Sequence, residues 1–182
     1  MRIIAGKYKG RKIECPPGDK IRPSSDMLRG AVFNILQFNV DWENANVLDV
    51  CCGTGAFGIE ALSRGAKFVG FMDSSRESLD VTKHNLTKLN EDKFELMLNA
   101  VEALPLARKQ YDVIYVDPPY LTGLVPKALK SLREKNWIAP NAIILAEASE
   151  RDKIAAPEGF EIKNERRYGN SKLLKIELLT QS

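Results

Sequence analysis

The residues best suited to chemistry in this 182-residue chain are Asp117-Pro118-Pro119-Tyr120, which follow the apolar run Val113-Ile114-Tyr115-Val116. Their types suit work on an exocyclic amino group. An amine conjugated to a heteroaromatic ring delocalises its lone pair, so it attacks an electrophile only when acceptors grip its N–H bonds and favour a pyramidal nitrogen. The Asp117 carboxylate and the Pro118 carbonyl are such acceptors. Pro118 and Pro119 stiffen the turn, and Tyr120 offers a ring on which an extruded base can lie. The same tetrapeptide also reads as a proline-rich strand-to-loop turn with a packing tyrosine.

A second constellation lies upstream. Val47-Leu48-Asp49-Val50 reads as a buried strand, Cys51-Cys52-Gly53-Thr54-Gly55 as a glycine turn, and the residues from Ala56 to Leu62 as the start of a helix. Glycines at 53 and 55 let the backbone pass close beneath a ligand, and a helix N-terminus follows. The next strand ends in Asp73, about 20 residues past the glycines, where a carboxylate can accept both hydroxyls of a ribose. Asp73 also suits the N-cap of a helix over 74–89, and the two roles are compatible. Gly53 to Gly58 fits the dinucleotide pattern G-x-G-x-x-G, so a nicotinamide enzyme must be weighed. Asp49 inside the strand and an amine-gripping turn at 117 favour S-adenosylmethionine instead. That molecule has an adenosine for Asp73, no pyrophosphate, and an ammonium and a sulfonium for Asp49 to face.

Composition narrows the chemistry further. His84 is the single histidine and sits between Lys83 and Asn85 in a polar helical stretch, so histidine-dependent triads and paired-histidine metal sites are excluded. Cys15, Cys51 and Cys52 are odd in number and lack C-x-x-C spacing, which supports neither a disulfide framework nor a zinc site. Cys51 and Cys52 read as small buried side chains. The expectation is therefore chemistry without a metal ion. No apolar stretch is long enough to span a membrane and the amino terminus lacks a signal-peptide pattern, so a cytoplasmic protein is expected, without a membrane partner and as a monomer.

Charge is unevenly distributed. Residues 1–22 hold seven basic against two acidic side chains, a net of +5 in a chain whose total is +3. This arm, with Tyr8 and glycines at 6 and 10, reads as a small hairpin pairing 2–5 with 11–14. Arg2, Lys7, Lys9, Arg11 and Lys12 can lie along a phosphate backbone, or can simply protect a solvated sheet edge. Ser24 or Ser25 can cap a helix running to about Phe38, with Leu28, Ala31, Val32, Ile35 and Leu36 on one face. Arg22 and Arg29 are then placed to meet either a cofactor carboxylate or an RNA phosphate.

These sites need a frame to hold them. Further strands are expected over 94–98, 111–116 and 142–147, a helix over 124–135, and a closing hairpin of 160–166 with 173–179 around Tyr168-Gly169-Asn170-Ser171. The alternation predicts an α/β fold, a doubly wound Rossmann-like sheet, mostly parallel with an antiparallel carboxyl-terminal hairpin. One domain over 1–182 is expected, with the basic hairpin and helix in 1–38 and the cofactor-binding and catalytic core in 39–182. Ligands on such sheets sit at the carboxyl ends of the strands, where the loops at 51, 73, 99 and 117 converge. Asp49, Cys51, Gly53, Gly55, Asp73, Ser74, Asn99, Ala100 and Asp117 are the expected cofactor contacts, with Asn99 placed to read an adenine edge.

The first motif and the closing hairpin resemble the class I S-adenosylmethionine-dependent methyltransferases. More narrowly, the chain is similar to the RsmD family in Arg2-Ile3-Ile4-Ala5-Gly6, Gly10-Arg11, Arg22-Pro23-Ser24-Ser25-Asp26 with Arg29, Phe33-Asn34-Ile35-Leu36, the stretch from Ile59 to Ala66, and Asp117-Pro118-Pro119-Tyr120. It departs from that family at Met27 and Gly30, where a basic and an acidic residue are usual. The resemblance implies methylation of the N2 amine of a guanine in the 16S RNA of the small ribosomal subunit, with that RNA or the subunit as partner. DNA adenine methylation, protein glutamine methylation and RNA binding without catalysis are the competing readings.

Overall fold

Apolar side chains fill both faces of the central strands, as a parallel sheet covered by helices on each side requires. The computed structural model describes residues 1–15 and 26–179. Its strands are β1 (Asn46–Val50), β2 (Phe68–Asp73), β3 (Phe94–Leu98), β4 (Tyr111–Val116), β5 (Ile138–Ser149), β6 (Phe160–Tyr168) and β7 (Ser171–Leu178). They form one sheet in the order β3-β2-β1-β4-β5-β7-β6, in which β7 alone runs opposite to the direction of the other strands. The order reverses between β1 and β4. That switch point opens a crevice at the strand ends, and the loops after β1 and β4 border it.

Side-chain alternation sorts the core into two layers. Val47, Val69, Phe71, Val113, Tyr115 and Leu145 face one side, which is covered by α1 (Asp26–Leu36), α2 (Ala56–Ser63) and α3 (Arg76–Lys88). Leu48, Val50, Met72, Ile114, Val116 and Ile144 face the other, which is covered by α4 (Leu124–Glu134) and the loop carrying Val101 and Leu104. All eight residues of α2 are buried, because the amino-terminal segment lies over its outer side. Glu60 of α2 accepts the Ile4 and Ala5 N–H groups at 2.7 and 2.9 Å, and Ser63 accepts that of Tyr8.

Several boundaries differ from expectation for physical reasons. β5 starts at Ile138, before Pro140, and the pairing with β4 shifts register there while Asn141 adopts φ +63°. A proline without an N–H is accommodated as a bulge instead of ending the strand. α3 is capped by Ser75, whose side chain accepts the Ser78 N–H, so Asp73 is not its N-cap. The expected basic hairpin appears as a single antiparallel bridge between Arg2 and Lys12 with backbone bonds around it, not as two full strands. α1 ends at Leu36 and leaves Phe38 exposed. Its expected caps, Ser24 and Ser25, lie outside the described residues, as does Arg22.

Candidate active site

The two motifs meet because β1 and β4 are neighbours. Asp49 pairs in register with Tyr115, and the Asp117 N–H donates to the Val50 carbonyl at 3.1 Å, which extends the ladder into the first residue of the tetrapeptide. A cleft of about 800 Å³ opens at this end of the sheet. Of the expected catalytic and cofactor residues, Asp49, Cys51, Gly53, Asp73, Ser74, Asn99, Ala100 and all of Asp117 to Tyr120 border it. Gly55 does not. Its φ is +74°, and a Cβ there would come within 2.7 Å of Thr82 Cγ2, so glycine is needed to seat α2 against α3.

Asp73 holds the site's backbone in place. Its carboxylate accepts the Gly53 N–H at 3.0 Å and the Ser75 N–H at 2.9 Å, tying the glycine turn to the loop after β2. The Thr82 hydroxyl donates to the Gly53 carbonyl at 3.0 Å, and the Asn85 amide donates to the Thr54 and Glu14 carbonyls. Cys52 is buried as expected. Cys51 is only half-buried and, like Cys52, borders the cleft; its φ of +60° is a conformation that costs a non-glycine residue ~1–2 kcal/mol. Burial and then the nearby Asp73 and Asp117 push its thiol up to about 12, so it remains a neutral thiol.

The cleft is acidic. Asp49, Asp73, Glu77, Glu102, Asp117 and Glu147 border it, and the described residues of its lining include no lysine or arginine. Asp49 is 2% exposed and accepts the Gly58 N–H at 2.9 Å. Burial, then the charges of Asp117 and Asp73, hold its carboxyl well above the usual carboxylate range. A cationic ligand would relieve that repulsion.

Tyr120 is fixed by more than its backbone. Its hydroxyl bonds Glu147 of β5 and the Ser171 hydroxyl at the start of β7, and Glu147 also accepts from Tyr115 at 2.9 Å. The Pro119 carbonyl accepts the Thr122 hydroxyl at 2.6 Å. Glu147, Ser171 and Phe57 border the cleft but were not identifiable as site residues from sequence motifs. Glu147 did leave a signal: it is the one charge in the run from Ala142 to Ala148.

The cations of the amino-terminal arm separate into two groups. Lys7 pairs with Glu91 at 2.8 Å, Arg11 donates to the Lys88 carbonyl, and Arg2 donates to the Gly10 carbonyl. Lys9 and Lys12 are exposed and form no ion pair among the described residues. Arg29 corrects the expectation of a phosphate or cofactor contact. It is 2% exposed, donates to the Arg2 carbonyl at 2.7 Å and lies 4.0 Å from Glu60, so it fastens the arm to α1 and α2 from inside. His84 is solvated, as its position predicts, and faces Glu14 at 3.0 Å.

This strand order, with the glycine turn after β1, a carboxylate ending β2 and the cleft at the switch point, defines a Rossmann-like methyltransferase fold. The solved structure of the Escherichia coli protein yhhF superposes over 100% of this chain and 99% of its own, with a TM-score of 0.85 and 29% identity. A Haemophilus influenzae structure described as a methylase superposes over 98% of each chain with a TM-score of 0.80. The chain belongs to the RsmD family, whose model, described as Conserved hypothetical protein 95, matches residues 1–177. Among its relatives, the Ribosomal RNA small subunit methyltransferase D of Buchnera aphidicola is 34% identical over 160 residues, covering 87% of this chain and 83% of that protein. The protein of the same name from Escherichia coli K12 is 32% identical, covering 81% and 74%.

Proposed function

We propose that this chain methylates the exocyclic N2 amine of a guanine in small-subunit ribosomal RNA, with S-adenosylmethionine as donor. The observation that carries the reading is the opening of Asp117 and Tyr120 into the same cleft as Gly53 and Asp73. When bound, S-adenosylmethionine supplies a methyl group on an already activated leaving group. The donor set suits it: Asp73 would accept the ribose hydroxyls, Asn99 would meet an adenine edge, and the acidic wall would face the ammonium and the sulfonium, all three bordering one cleft.

The chain's own work is placement. Asp117 and the Pro118 carbonyl accept the N–H bonds of the target amine, which localises its lone pair, and the Tyr120 ring supports the extruded base. Lys9 and Lys12 meet the phosphate backbone outside the cleft. The dinucleotide reading is weaker, because a pyrophosphate would face six carboxylates and because the Gly58 N–H near the start of α2 is already given to Asp49.

The test is label transfer. The protein is incubated with methyl-labelled S-adenosylmethionine and, separately, small-subunit RNA, assembled small subunits, DNA and protein, and the products are digested to nucleosides or amino acids. Label in N2-methylguanosine is expected. Label in N6-methyladenosine or in glutamine would replace this reading with one of its competitors.

A further inference from the structure

Glu147 is only 3% exposed, yet its charge is met by two phenols and, among the described residues, by no lysine or arginine. Burying a carboxylate this way is costly, and a neutral side chain of similar size would fill the same space more cheaply. Its position explains what it does. One oxygen accepts from Tyr115, whose ring is already fixed by stacking on Phe57 at 4.3 Å between centroids, and the other accepts from Tyr120. Because the single phenolic hydrogen of Tyr120 goes to Glu147, the Ser171 hydroxyl donates to the phenol oxygen, at 2.5 Å. Burial pushes the Tyr115 and Tyr120 hydroxyls upward from their ordinary range, so both stay donors at neutral pH.

We propose that Glu147 is a positioning residue, holding the Tyr120 ring at the angle at which it supports the target base, with Ser171 at the start of β7 as its second anchor. This deepens the proposed function and rests on it. Glu147 stands on an interior strand and Tyr120 at the end of a turn whose Pro119 is exposed, so the hydroxyl bonds tie the end of that turn to the sheet. The closing hairpin thereby takes part in the site.

The test is a double-mutant cycle of Glu147→Gln and Tyr120→Phe, read as methyl transfer to small-subunit RNA and as cofactor affinity by calorimetry. Glutamine keeps the shape but only one acceptor, and phenylalanine keeps the ring but loses the anchor. Each variant is expected to lower kcat roughly ten- to a hundredfold, the change that corresponds to one hydrogen bond to a charged group, while cofactor affinity stays unchanged. The double variant should lose no more than the worse single one. Should Glu147→Gln fail to fold, Ser171→Ala with Tyr120→Phe completes the same cycle, the serine effect vanishing in the phenylalanine background. Multiplying losses, a fall in cofactor affinity, or an undiminished kcat would overturn the assignment while leaving the proposed function intact. A wild-type protein that transfers no label to the RNA would remove both.

Discussion

Asp49→Asn should move two properties of this protein in opposite directions. The carboxylate is buried, accepts one N–H from Gly58, and shares its end of the sheet with Asp73 and Asp117. Asparagine keeps an acceptor for Gly58 and carries no charge. Because burial holds the folded carboxyl above its ordinary value of 3.8, the native state binds more protons than the unfolded chain from that pH upward to the raised folded value. Stability of the empty protein therefore falls as pH rises through this window, and Asp49→Asn should flatten that fall. Removing a strained buried charge without losing a hydrogen bond should yield on the order of 1 kcal/mol at neutral pH, or ~2–4 °C for a chain this long. Cofactor binding should suffer instead, since losing a charged partner of ~1.5–3 kcal/mol weakens affinity roughly 10- to 150-fold. Thermal melts of the empty protein across acid to neutral pH, paired with calorimetric titration of S-adenosylmethionine, read both effects. A variant that melts lower than wild type at neutral pH and binds the cofactor equally well would show that Asp49 neither strains the empty protein nor faces the cofactor.

Two further substitutions probe the frame and the arm. Gly58→Ala would put a Cβ 2.3 Å from Phe71 Cε1, so α2 or the ring must move, and a loss of ~1–3 kcal/mol is expected as a lower melting midpoint, with weaker cofactor binding as α2 shifts. An unchanged midpoint would show that the helix seats less tightly than described. Lys9→Glu with Lys12→Glu should raise the KM for RNA and flatten the dependence of binding on salt, each lost phosphate contact removing roughly 0.7–0.9 from the logarithmic slope. A salt slope equal to that of wild type would place the RNA elsewhere.

Much of the frame was legible because local and tertiary preferences agree. The strands at 94–98 and 111–116 lie where their residue types put them. Asp49, Gly53, Asp73 and Asp117 converge because a parallel sheet delivers its loops to one end, a consequence of topology that short motifs already encode. What stayed hidden depends on contacts between distant residues. Nothing local distinguishes Arg29 as buried, since its partners are the Arg2 carbonyl and Glu60. Gly55 looks like a ligand-facing glycine until α3 packs Thr82 against it. The strand expected over 142–147 begins earlier, at Ile138, because the bulge opposite β4 accommodates Pro140. Glu147 is visible as a lone charge in an apolar run, but its phenol partners come from β4 and from the turn after it.

Under the proposed function, Asp117 activates an amine and does not serve mainly to hold the cofactor. Methyl transfer to small-subunit RNA by Asp117→Ala, measured beside its affinity for S-adenosylmethionine, tests this most directly. Turnover should disappear while the cofactor still binds. Normal methylation by a variant that has lost cofactor affinity would contradict it.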